Sequence, residues 1–386
     1  MSGYVFIGNS SKPSVEKNNS REPVKPGNVS IPCIEAALKL GYEVYLGTNR
    51  NNPQELECTY PVKLFDAHSY RSITAFNDNR VAYSNLSKVV EEGNVEVIHC
   101  NTPVGGMIGR LVGKRHHIKK IIYTAHGFHF YKGAPLFNRT VLKWAEQIMA
   151  HWTDVIITMN EEDFQSAKKF KLRKGGKVYY VPGVGINTEE FFNVRINKKE
   201  KRDELGIAMD DIICISMGDL IPRKNYETSI KAIALCNNPK VHYLICGRGP
   251  ELDNLKKLAK ELGVENQIHF LGFRTDIKEL SKVADIFLFT TLQEGMPRSM
   301  MEAMASGLPC IASKIRGNVD LLEEGIGGYL IPAKDENAVA DRLERLVENL
   351  DLREEMRKAN LERIKGFDIG VVKSRMEEIY KEVLNK

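Results

Sequence analysis

Short runs of apolar residues alternate with amphipathic segments along the whole chain. Polar residues, glycine or proline bound each run, which is the pattern of buried strands separated by helices. Strands that alternate with helices form parallel sheets covered by helices on both faces. The predicted strands are Tyr4–Gly8, Tyr42–Gly47, Val95–Cys100, Lys120–Thr124, Asp154–Met159 and Val178–Val181, then Ile212–Met217, Val241–Cys246, Ile268–Leu271, Ile286–Thr290, Cys310–Ser313 and Gly328–Ile331.

The segments outside these strands indicate how the chain divides. Residues 9–30, rich in Ser, Asn, Lys and Pro, predict a mobile loop. The last part, about Glu336–Lys386, predicts a long charged helix broken around Gly366. The charged run Lys198–Asp203 separates the two sets of strands. We therefore predict an N-terminal domain over 1–195, completed by a helix at about 370–386, and a C-terminal domain over 196–369.

Composition limits the class of protein. With 386 residues, 42% hydrophobic and 27% charged, the chain has the size and balance of a two-domain globular protein. Its apolar runs fall short of the roughly 18 residues that span a bilayer. The first residues lack the basic start and apolar core of a secretory signal. Seven cysteines, none spaced as Cys-x-x-Cys, are expected to be reduced in a cytosol.

Basic residues concentrate in the first half of the chain. Residues 1–195 hold 25 Lys and Arg against 18 Asp and Glu, and the span 107–177 alone holds 14 against 5. This excess of positive charge creates an electrostatic field that predicts an anionic partner. The span 126–144 also interleaves aromatics with cations, which favours the anionic inner surface of a membrane. A solvated helix face with core aromatics is the alternative, and no recognition motif supports nucleic acid.

One segment carries the clearest chemical signal. After the apolar run Asp285–Thr290 comes Pro297, which suits a helix start, and the helix predicted there ends at Ser306-Gly307. The free N–H groups at such a start bind anions. Glu294 lies just before this helix and Glu302 lies within it. Carboxylates there accept hydrogen bonds from sugar hydroxyls, or they only complement the helix dipole.

The wider sequence distinguishes these alternatives. Glu294–Ala305, followed by Gly307-Leu-Pro309, closely resembles the donor-site signature of the retaining glycosyltransferases of family 4, in which E-x7-E precedes Ala-Met-Ala and Gly-x-Pro. The resemblance spans nearly the whole chain. It implies an α/β protein with the GT-B fold, in which two Rossmann-like, doubly wound parallel-sheet domains face an interdomain cleft.

The resemblance also implies roles for residues around this signature. Glu302 is expected to bind the ribose hydroxyls of the donor. Glu294 and the backbone amides after Gly295 are expected to bind the transferred sugar and its phosphate. The residues of that turn and helix start are Met296, Pro297, Arg298 and Ser299.

A second segment is expected to hold the diphosphate. The family has Gly-Arg-Leu-x-x-x-Lys where this chain has Gly218–Lys224, so Lys224 matches the family lysine. Asp219 stands where the family has arginine, and either Arg223 or Arg298 is expected to supply the missing charge.

Two further segments follow strands on the donor side. Gly247 belongs to a Gly-x-Gly-Pro turn that resembles a family turn. The segment Phe270–Ile277 resembles the one that packs on the nucleotide base, which adds Phe273 and Arg274 to the donor site. Phe273 is alternatively a core residue.

The first domain supplies two candidates. His126, in Tyr123–Gly127, follows a strand and matches the family histidine that lies beside the transferred sugar. We expect it to donate or accept a hydrogen bond rather than act as a free base. Gly27 matches the family's glycine-rich loop opposite the donor phosphate. Neither Asp-x-Asp nor a His/Cys ligand spacing occurs, so we expect no metal and no other cofactor.

Together these observations predict a metal-independent retaining glycosyltransferase. The implied donor is a nucleotide sugar, UDP-linked, and the implied reaction is front-face displacement. The first domain resembles bacterial enzymes of capsular or exopolysaccharide assembly, whose glycan acceptors are linked to polyprenyl diphosphate at the cytoplasmic face of the inner membrane. The alternatives are a catalytically silent GT-B module that binds a lipid or protein partner, and a nucleotide-sugar epimerase of similar shape.

Overall fold

The computed structural model describes residues 1–384, except the side chain of Lys17. The chain forms two compact units. Unit 1 comprises Met1–Val184 and the chain from Gly370 onward, and unit 2 comprises Gly185–Ile369. Residues 385–386 of the predicted C-terminal helix lie outside the described residues.

Each unit is built on one fully parallel sheet. The first sheet has the strand order β3-β2-β1-β4-β5-β6-β7 and the second has the order β10-β9-β8-β11-β12-β13, in which the strands are β1 Gly3–Ile7, β2 Glu43–Thr48, β3 Lys63–Asp66, β4 Val95–Asn101, β5 Lys120–Ala125, β6 Val155–Thr158, β7 Lys177–Tyr180, β8 Ile212–Met217, β9 Val241–Cys246, β10 Ile268–Gly272, β11 Ile286–Phe289, β12 Cys310–Ser313 and β13 Gly328–Ile331. The order reverses between β1 and β4 and again between β8 and β11. In doubly wound sheets, ligands bind at the carboxyl ends of the strands at such a reversal.

Helices connect the strands in both units. They are α1 Val15–Asn19, α2 Ile31–Lys39, α3 Phe76–Glu92, α4 Pro103–Arg115, α5 Lys143–Ala150, α6 Glu161–Ala167, α7 Thr188–Phe192, α8 Lys198–Leu205, α9 Tyr226–Cys236, α10 Leu252–Glu261, α11 Ile277–Val283, α12 Arg298–Ala305, α13 Asn318–Leu321, α14 Glu336–Glu348, α15 Leu350–Arg363 and α16 Ile369–Leu384. A π-helical turn, Asn138–Leu142, precedes α5 directly.

Side-chain alternation along each strand explains why both faces of the sheets are covered. On β1, Val5 and Ile7 belong to the core cluster that includes α4. Tyr4 and Phe6 point to the other face and join the cluster that includes α2 and α16. Successive strand residues face opposite sides, so an uninterrupted apolar run is buried on both. The prediction of parallel, doubly covered sheets is confirmed.

The sequence pattern missed one strand. β3 has only four residues, lies at the edge of the first sheet and pairs with β2 alone. Two of its side chains, Leu64 and Phe65, are buried. These two are its only apolar residues, and the charged Lys63 and Asp66 bound them, so β3 offers neither an apolar run nor an alternating pattern. Residues 9–30 also contain a short helix, α1.

The predicted long C-terminal helix is three helices. Asn349 separates α14 from α15, because its backbone is extended and its side chain caps α15 by accepting the N–H of Leu352 at 2.9 Å. The second break, at a 3₁₀ turn over Ile364–Phe367, includes the glycine at which a break was predicted.

Unit 2 begins earlier in the chain than the predicted boundary at residue 196. Helix α7 packs against α12, and both the N–H and the hydroxyl of Thr188 donate to Asp368, at 3.1 and 2.7 Å. These contacts attach residues 185–195 to unit 2. The charged run Lys198–Asp203, near which the boundary was predicted, belongs to helix α8 within unit 2.

Candidate functional site

The donor-side candidates lie where the strand order of the second sheet reverses. The loop after β8 carries Arg223 and Lys224, and the loop after β11 carries Glu294. Because β8 and β11 are neighbouring parallel strands, their carboxyl ends lie at the same edge of the sheet. The structure thus brings two separate sequence motifs together.

Helix α12 has the boundaries that its sequence predicts. Pro297 is its N-cap residue, and the first helical bond runs from the Met301 N–H to the Pro297 carbonyl at 3.2 Å. The helix ends in a Schellman arrangement, in which the N–H groups of Gly307 and Leu308 donate to the carbonyls of Met304 and Ala303. The N–H groups of residues 298–300 precede the first helical bond and so have no acceptor within the helix, which is the property that lets a helix start bind an anion.

Glu294 is the centre of a compact charged cluster. Its Oε1 accepts hydrogen bonds from Lys224 Nζ at 2.8 Å, from Arg223 Nη1 at 3.0 Å and from Thr291 Oγ1 at 2.9 Å. The Lys224 and Glu294 side chains are only 12% and 11% exposed, whereas that of Arg223 is 40% exposed. A carboxylate thus lies directly beside the two cations that were expected to meet a diphosphate.

Two members of this cluster were missed by the sequence analysis. Thr291 binds the Glu294 carboxylate, and Arg316 donates from Nε to the Glu294 backbone carbonyl at 3.0 Å. Thr291 could have been found, because a polar residue directly after a buried strand lies at the sheet edge. Arg316 carried no local signal, because it is buried and reaches the loop from beyond β12.

Glu302 has a different environment. Its Oε1 accepts a hydrogen bond from Arg298 Nε one helical turn away, at 2.8 Å, and its side chain is 16% exposed. Burial raises the pKa of Glu302 above the usual value, and the charge of Arg298 opposes that shift. The two carboxylates of the E-x7-E motif therefore have separate cationic partners.

Both candidates for the charge missing at Asp219 lie beside a motif carboxylate. Arg223 shares the Glu294 oxygen with Lys224, and Arg298 binds Glu302. Asp219 itself is exposed in the loop after β8. Both alternatives are compatible with this arrangement.

In the Gly-x-Gly turn after β9, the packing around Gly247 leaves no room for a side chain. A side chain at Gly247 would place Cβ 1.9 Å from the carbonyl oxygen of Gly218, in the loop after β8. The Gly247 N–H donates to the Gly272 carbonyl at 2.8 Å, which ties the ends of β9 and β10 together. The backbone at the end of β9 thus lies against the backbone at the ends of both β8 and β10.

Phe273 and Arg274 follow β10 but face different surroundings. Phe273 is 67% exposed, so the alternative that it is a core residue is wrong. The guanidinium of Arg248 lies 5.8 Å from the centre of its ring. Arg274 instead donates to Asp276 and Glu204 at 2.7 and 3.2 Å. These ion pairs hold the Arg274 side chain between α8 and the start of α11.

The two candidates from the first domain belong to unit 1. Gly27 precedes α2, and its carbonyl accepts the N–H groups of Ser30 and Ile31. No described atom lies within 4 Å of a Cβ built on Gly27, so local packing does not require a glycine there. Burial lowers the pKa of His126 to about 4, so its imidazole is neutral at pH 7. Its Nε2 is buried and lacks a hydrogen-bond partner among residues 1–384.

The basic span 107–177 divides into internal and surface residues. Arg110 is fully buried and pairs with Glu146 at 2.7 Å, so it is not available to a partner. Lys114 lies over the ring of Trp152 at 3.9 Å. Phe128 and Phe130 are buried and stacked, so the core alternative is correct for these two aromatics.

Other apolar residues of this span are on the surface. We call them the apolar stripe: they lie in the π-helical turn and α5, or directly before them, and they are Leu136, Phe137, Val141 and Trp144, exposed by 74, 61, 46 and 64%. Three exposed cations lie beside them in the sequence: Lys132, Arg139 and Lys143. Within residues 1–384, no helix is both long and apolar enough to cross a membrane.

The same described part of the chain has no group of three or more His, Cys, Asp or Glu side chains placed to hold a metal ion. Metal independence stays a prediction, because metal can also enter with a diphosphate substrate.

Two family models match the chain. Residues 33–190 match Glycosyltransferase Family 4, and residues 197–363 match Glycosyl transferases group 1. EpsD of Bacillus subtilis (strain 168), assigned as a glycosyltransferase, is 34% identical over 83% of this chain and 84% of its own length. An Escherichia coli enzyme, UDP-Gal:alpha-D-GlcNAc-diphosphoundecaprenol alpha-1,3-galactosyltransferase, is 27% identical over 82% of this chain and 83% of its own length.

A solved structure shares the fold. Anabaena Alr3699/HepE in complex with UDP and glucose aligns with a TM-score of 0.76 at 18% identity and covers 98% of this chain and 100% of that protein. Together with the two parallel sheets, this likeness confirms the GT-B fold.

Proposed function

The chain belongs to the family 4 glycosyltransferases, and from this premise we propose that it transfers a sugar from a UDP-sugar to a lipid-linked glycan. The observation that carries the donor half of the proposal is the arrangement around α12. Two partly buried carboxylates, each with a cation attached, flank the N–H groups of one helix start. Such a start binds anions, and carboxylates accept hydrogen bonds from hydroxyls.

We assign the donor contacts accordingly. The N–H groups at the start of α12 and the Lys224 ammonium bind the diphosphate. Glu302 accepts the ribose hydroxyls, and Glu294 accepts a hydroxyl of the transferred sugar through Oε2. The exposed ring of Phe273 lies at the base end of the site.

Arg223 is our choice for the charge that Asp219 lacks. Its guanidinium shares Glu294 Oε1 with Lys224, so movement of either cation toward phosphate leaves the other on the carboxylate. Arg298 instead binds the carboxylate that we assign to the ribose. Two cations around one diphosphate neutralise the charge that develops as it leaves.

His126 acts as a neutral hydrogen-bonding group in this scheme. A pKa of about 4, lowered by burial, makes it a poor proton acceptor but leaves it a good hydrogen-bond partner. We propose front-face displacement with retention of configuration: the bond from C1 to the phosphate oxygen breaks, the acceptor hydroxyl oxygen bonds to C1 on the same face, and the departing phosphate oxygen takes the proton of that hydroxyl. Preorganised N–H groups and cations supply the stabilisation, and no metal is required.

The acceptor is the second part of the proposal. The Escherichia coli relative acts, by its name, on a sugar linked to diphosphoundecaprenol. We propose that this chain likewise extends a glycan on polyprenyl diphosphate, as a step in capsular or exopolysaccharide assembly at the cytoplasmic face of the membrane.

The apolar stripe supports a membrane location. Its four exposed apolar side chains share one short helical segment with Arg139 and Lys143. Exposed aromatic and aliphatic residues enter the boundary between headgroups and acyl chains, and each neighbouring cation adds about 1 kcal/mol near anionic lipid. We propose that the stripe inserts into an anionic monolayer and so brings unit 1 to its lipid-linked substrate.

Flotation with vesicles tests this location. Vesicles of phosphatidylcholine with phosphatidylglycerol should carry the protein at low salt, and high salt or pure phosphatidylcholine should release most of it. The double variant Phe137→Ser/Trp144→Ser should stay unbound. Phe76→Ser, which changes a 79% exposed aromatic of α3, is the matched control and should float like the wild type. Equal flotation of both variants would refute the role of the stripe.

Mass spectrometry tests the reaction itself. The protein is incubated with single nucleotide sugars and a pool of monosaccharides on polyprenyl diphosphate, with and without EDTA. We expect a lipid-linked disaccharide and free UDP from a UDP-sugar, in both conditions. Conversion of the UDP-sugar to an epimer, or no reaction with any donor, would contradict the proposal. Loss of activity in EDTA, restored by Mg²⁺ or Mn²⁺, would refute only the metal-free mechanism.

A further inference from the structure

Unit 1 has its own strand-order reversal, between β1 and β4. Asn9 follows β1, separated from it by one glycine, and Asn101 is the last residue of β4. His126 follows β5, the neighbour of β4. The carboxyl edge at such a reversal is where doubly wound sheets bind ligands. Three polar side chains thus lie at the place where the topology predicts a site.

Buried polar atoms at this edge lack partners. Asn101 is 1% exposed, and neither its Oδ1 nor its Nδ2 has a hydrogen-bond partner among residues 1–384. Asn9 Oδ1 and His126 Nε2 are also buried and also lack a hydrogen-bond partner among these residues. The large majority of buried side-chain polar atoms in proteins are hydrogen-bonded. Four unpartnered atoms at one sheet edge therefore indicate a ligand that completes them.

The next layer of the same sheet face shows the usual outcome. His99, two residues before Asn101, bonds through Nδ1 to the Tyr380 hydroxyl at 2.6 Å and through Nε2 to the Thr124 hydroxyl at 2.7 Å. Both ring nitrogens of His99 are thus bonded by residues of unit 1 itself. The amide of Asn101, nearer the carboxyl edge on the same face, is not.

The register places Asn101 and His126 on one face of the first sheet. Asn101 pairs with Thr124 across β4 and β5, and side chains two residues apart point to the same face. Asn101 therefore shares a face with His99, and His126 shares it with Thr124. The Asn9 N–H donates to Thr102 Oγ1 at 2.9 Å, which ties the loop after β1 to the end of β4.

The chemistry of this cluster is that of a hydroxyl binder. A carboxamide offers one acceptor and one donor atom, which match the donor and acceptor of neighbouring hydroxyl groups. His126 is neutral and the amides of Asn9 and Asn101 carry no charge, so these three side chains lack the cation that a phosphate or diphosphate would require. We infer that Asn9, Asn101 and His126 form a subsite for the hydroxyl groups of the acceptor sugar, in which Asn101 determines which sugar is accepted. This inference rests on the proposed glycosyl transfer.

The substitution Asn101→Leu tests the subsite, because it keeps the side-chain volume and removes both polar atoms. The probes are farnesyl-diphosphate-linked monosaccharides, including N-acetylglucosamine, with a UDP-sugar donor. We expect the acceptor kcat/KM to fall about tenfold or more, the loss expected for two hydrogen bonds. The dissociation constant for UDP should not change, and Tm should stay the same or rise. Asn9→Ala changes a half-buried side chain and gives a second measurement if Asn101→Leu does not fold.

Asn160→Leu is the matched control in the same unit. Asn160 is also buried, but its Oδ1 accepts the Asp163 N–H at 2.9 Å and its Nδ2 donates to the Asp163 carboxylate at 2.8 Å. This variant should lower Tm by several degrees. Wild-type acceptor kinetics in both Asn101→Leu and Asn9→Ala would overturn the inference, as would a fall in Tm of Asn101→Leu equal to that of the control. If the wild type uses no probe, the proposed function fails, and the comparison of Tm values still tests the subsite.

Discussion

Gly317 supports the loop that carries Glu294, and its substitution tests how closely donor binding depends on that loop. Gly317 precedes α13 with φ of +80°. A Cβ at this position would lie 2.3 Å from the carbonyl oxygen of Gly295 and 2.9 Å from its carbonyl carbon. Gly317→Ala therefore forces the peptide between Gly295 and Met296 to move.

The size of the effect follows from this geometry. Ordinary carbon–oxygen contacts begin at about 3.3 Å, so the Gly295 carbonyl has to retreat by about 1 Å. An alanine held at positive φ costs about 1–2 kcal/mol, and the forced repacking adds about 1–3 kcal/mol. We expect Gly317→Ala to lower the free energy of unfolding by about 2–5 kcal/mol. We also expect it to weaken UDP binding at least about tenfold, because a shift of 1 Å at Gly295 misplaces the N–H groups at the start of α12 that we assign to the diphosphate.

Gly325→Ala is the control that separates strain from displacement. Gly325 has φ of +76°, and no described atom lies within 4 Å of the place where its Cβ would be. This variant should lose only about 1–2 kcal/mol and bind UDP as the wild type does. Urea denaturation and titration calorimetry with UDP measure both quantities. Equal stability of the two variants, or wild-type affinity for UDP in Gly317→Ala, would refute the role assigned to the loop.

Three further predictions concern single side chains. Burial raises the pKa of the Glu302 carboxyl group. The native protein therefore binds the carboxyl proton more tightly than the unfolded chain does. As a result, the contribution of Glu302 to the free energy of unfolding grows as pH falls through the native pKa. UDP binding needs the ionised Glu302 carboxylate, so the affinity for UDP should weaken over the same pH interval, which begins above the usual pKa of glutamate. If UDP affinity had the same pH dependence in Glu302→Gln as in the wild type, this prediction would be contradicted. His126→Ala should lower kcat far more than it lowers UDP affinity, and full activity would remove His126 from the site. Tyr380→Phe deletes a hydroxyl bonded to His99 Nδ1 at 2.6 Å and to the Tyr4 hydroxyl at 2.5 Å, so urea denaturation should show a loss of about 1–3 kcal/mol; an unchanged midpoint would show that this network does not stabilise unit 1.

The sequence predicted best those features whose causes are local. β11, the turn with Glu294 and helix α12 could be predicted, because a buried apolar run, Pro297 and Gly307 each act on their own neighbours. The family resemblance then joined Lys224 to this turn across about seventy residues, a separation that no local pattern spans. The structure adds the reason: β8 and β11 are adjacent strands at the reversal of the second sheet.

Features that arise only from tertiary contacts could not be predicted from the sequence. β3 depends on β2 for its pairing, and Arg316 reaches the Glu294 carbonyl from another connection of unit 2. Arg110 belongs to a basic run, yet Glu146 makes it an internal residue. Asn101 looked like any polar residue at a strand end. Its unpartnered amide became visible only when β1, β4 and β5 were placed side by side.

The most direct test of the central claim is a crystal structure with UDP bound. The diphosphate should lie against the N–H groups at the start of α12, within reach of Lys224 and Arg223. The ribose hydroxyls should donate to Glu302, which then shares its carboxylate with Arg298 or releases it. A nucleotide bound elsewhere on unit 2, or a structure without nucleotide at saturating UDP, would contradict the account.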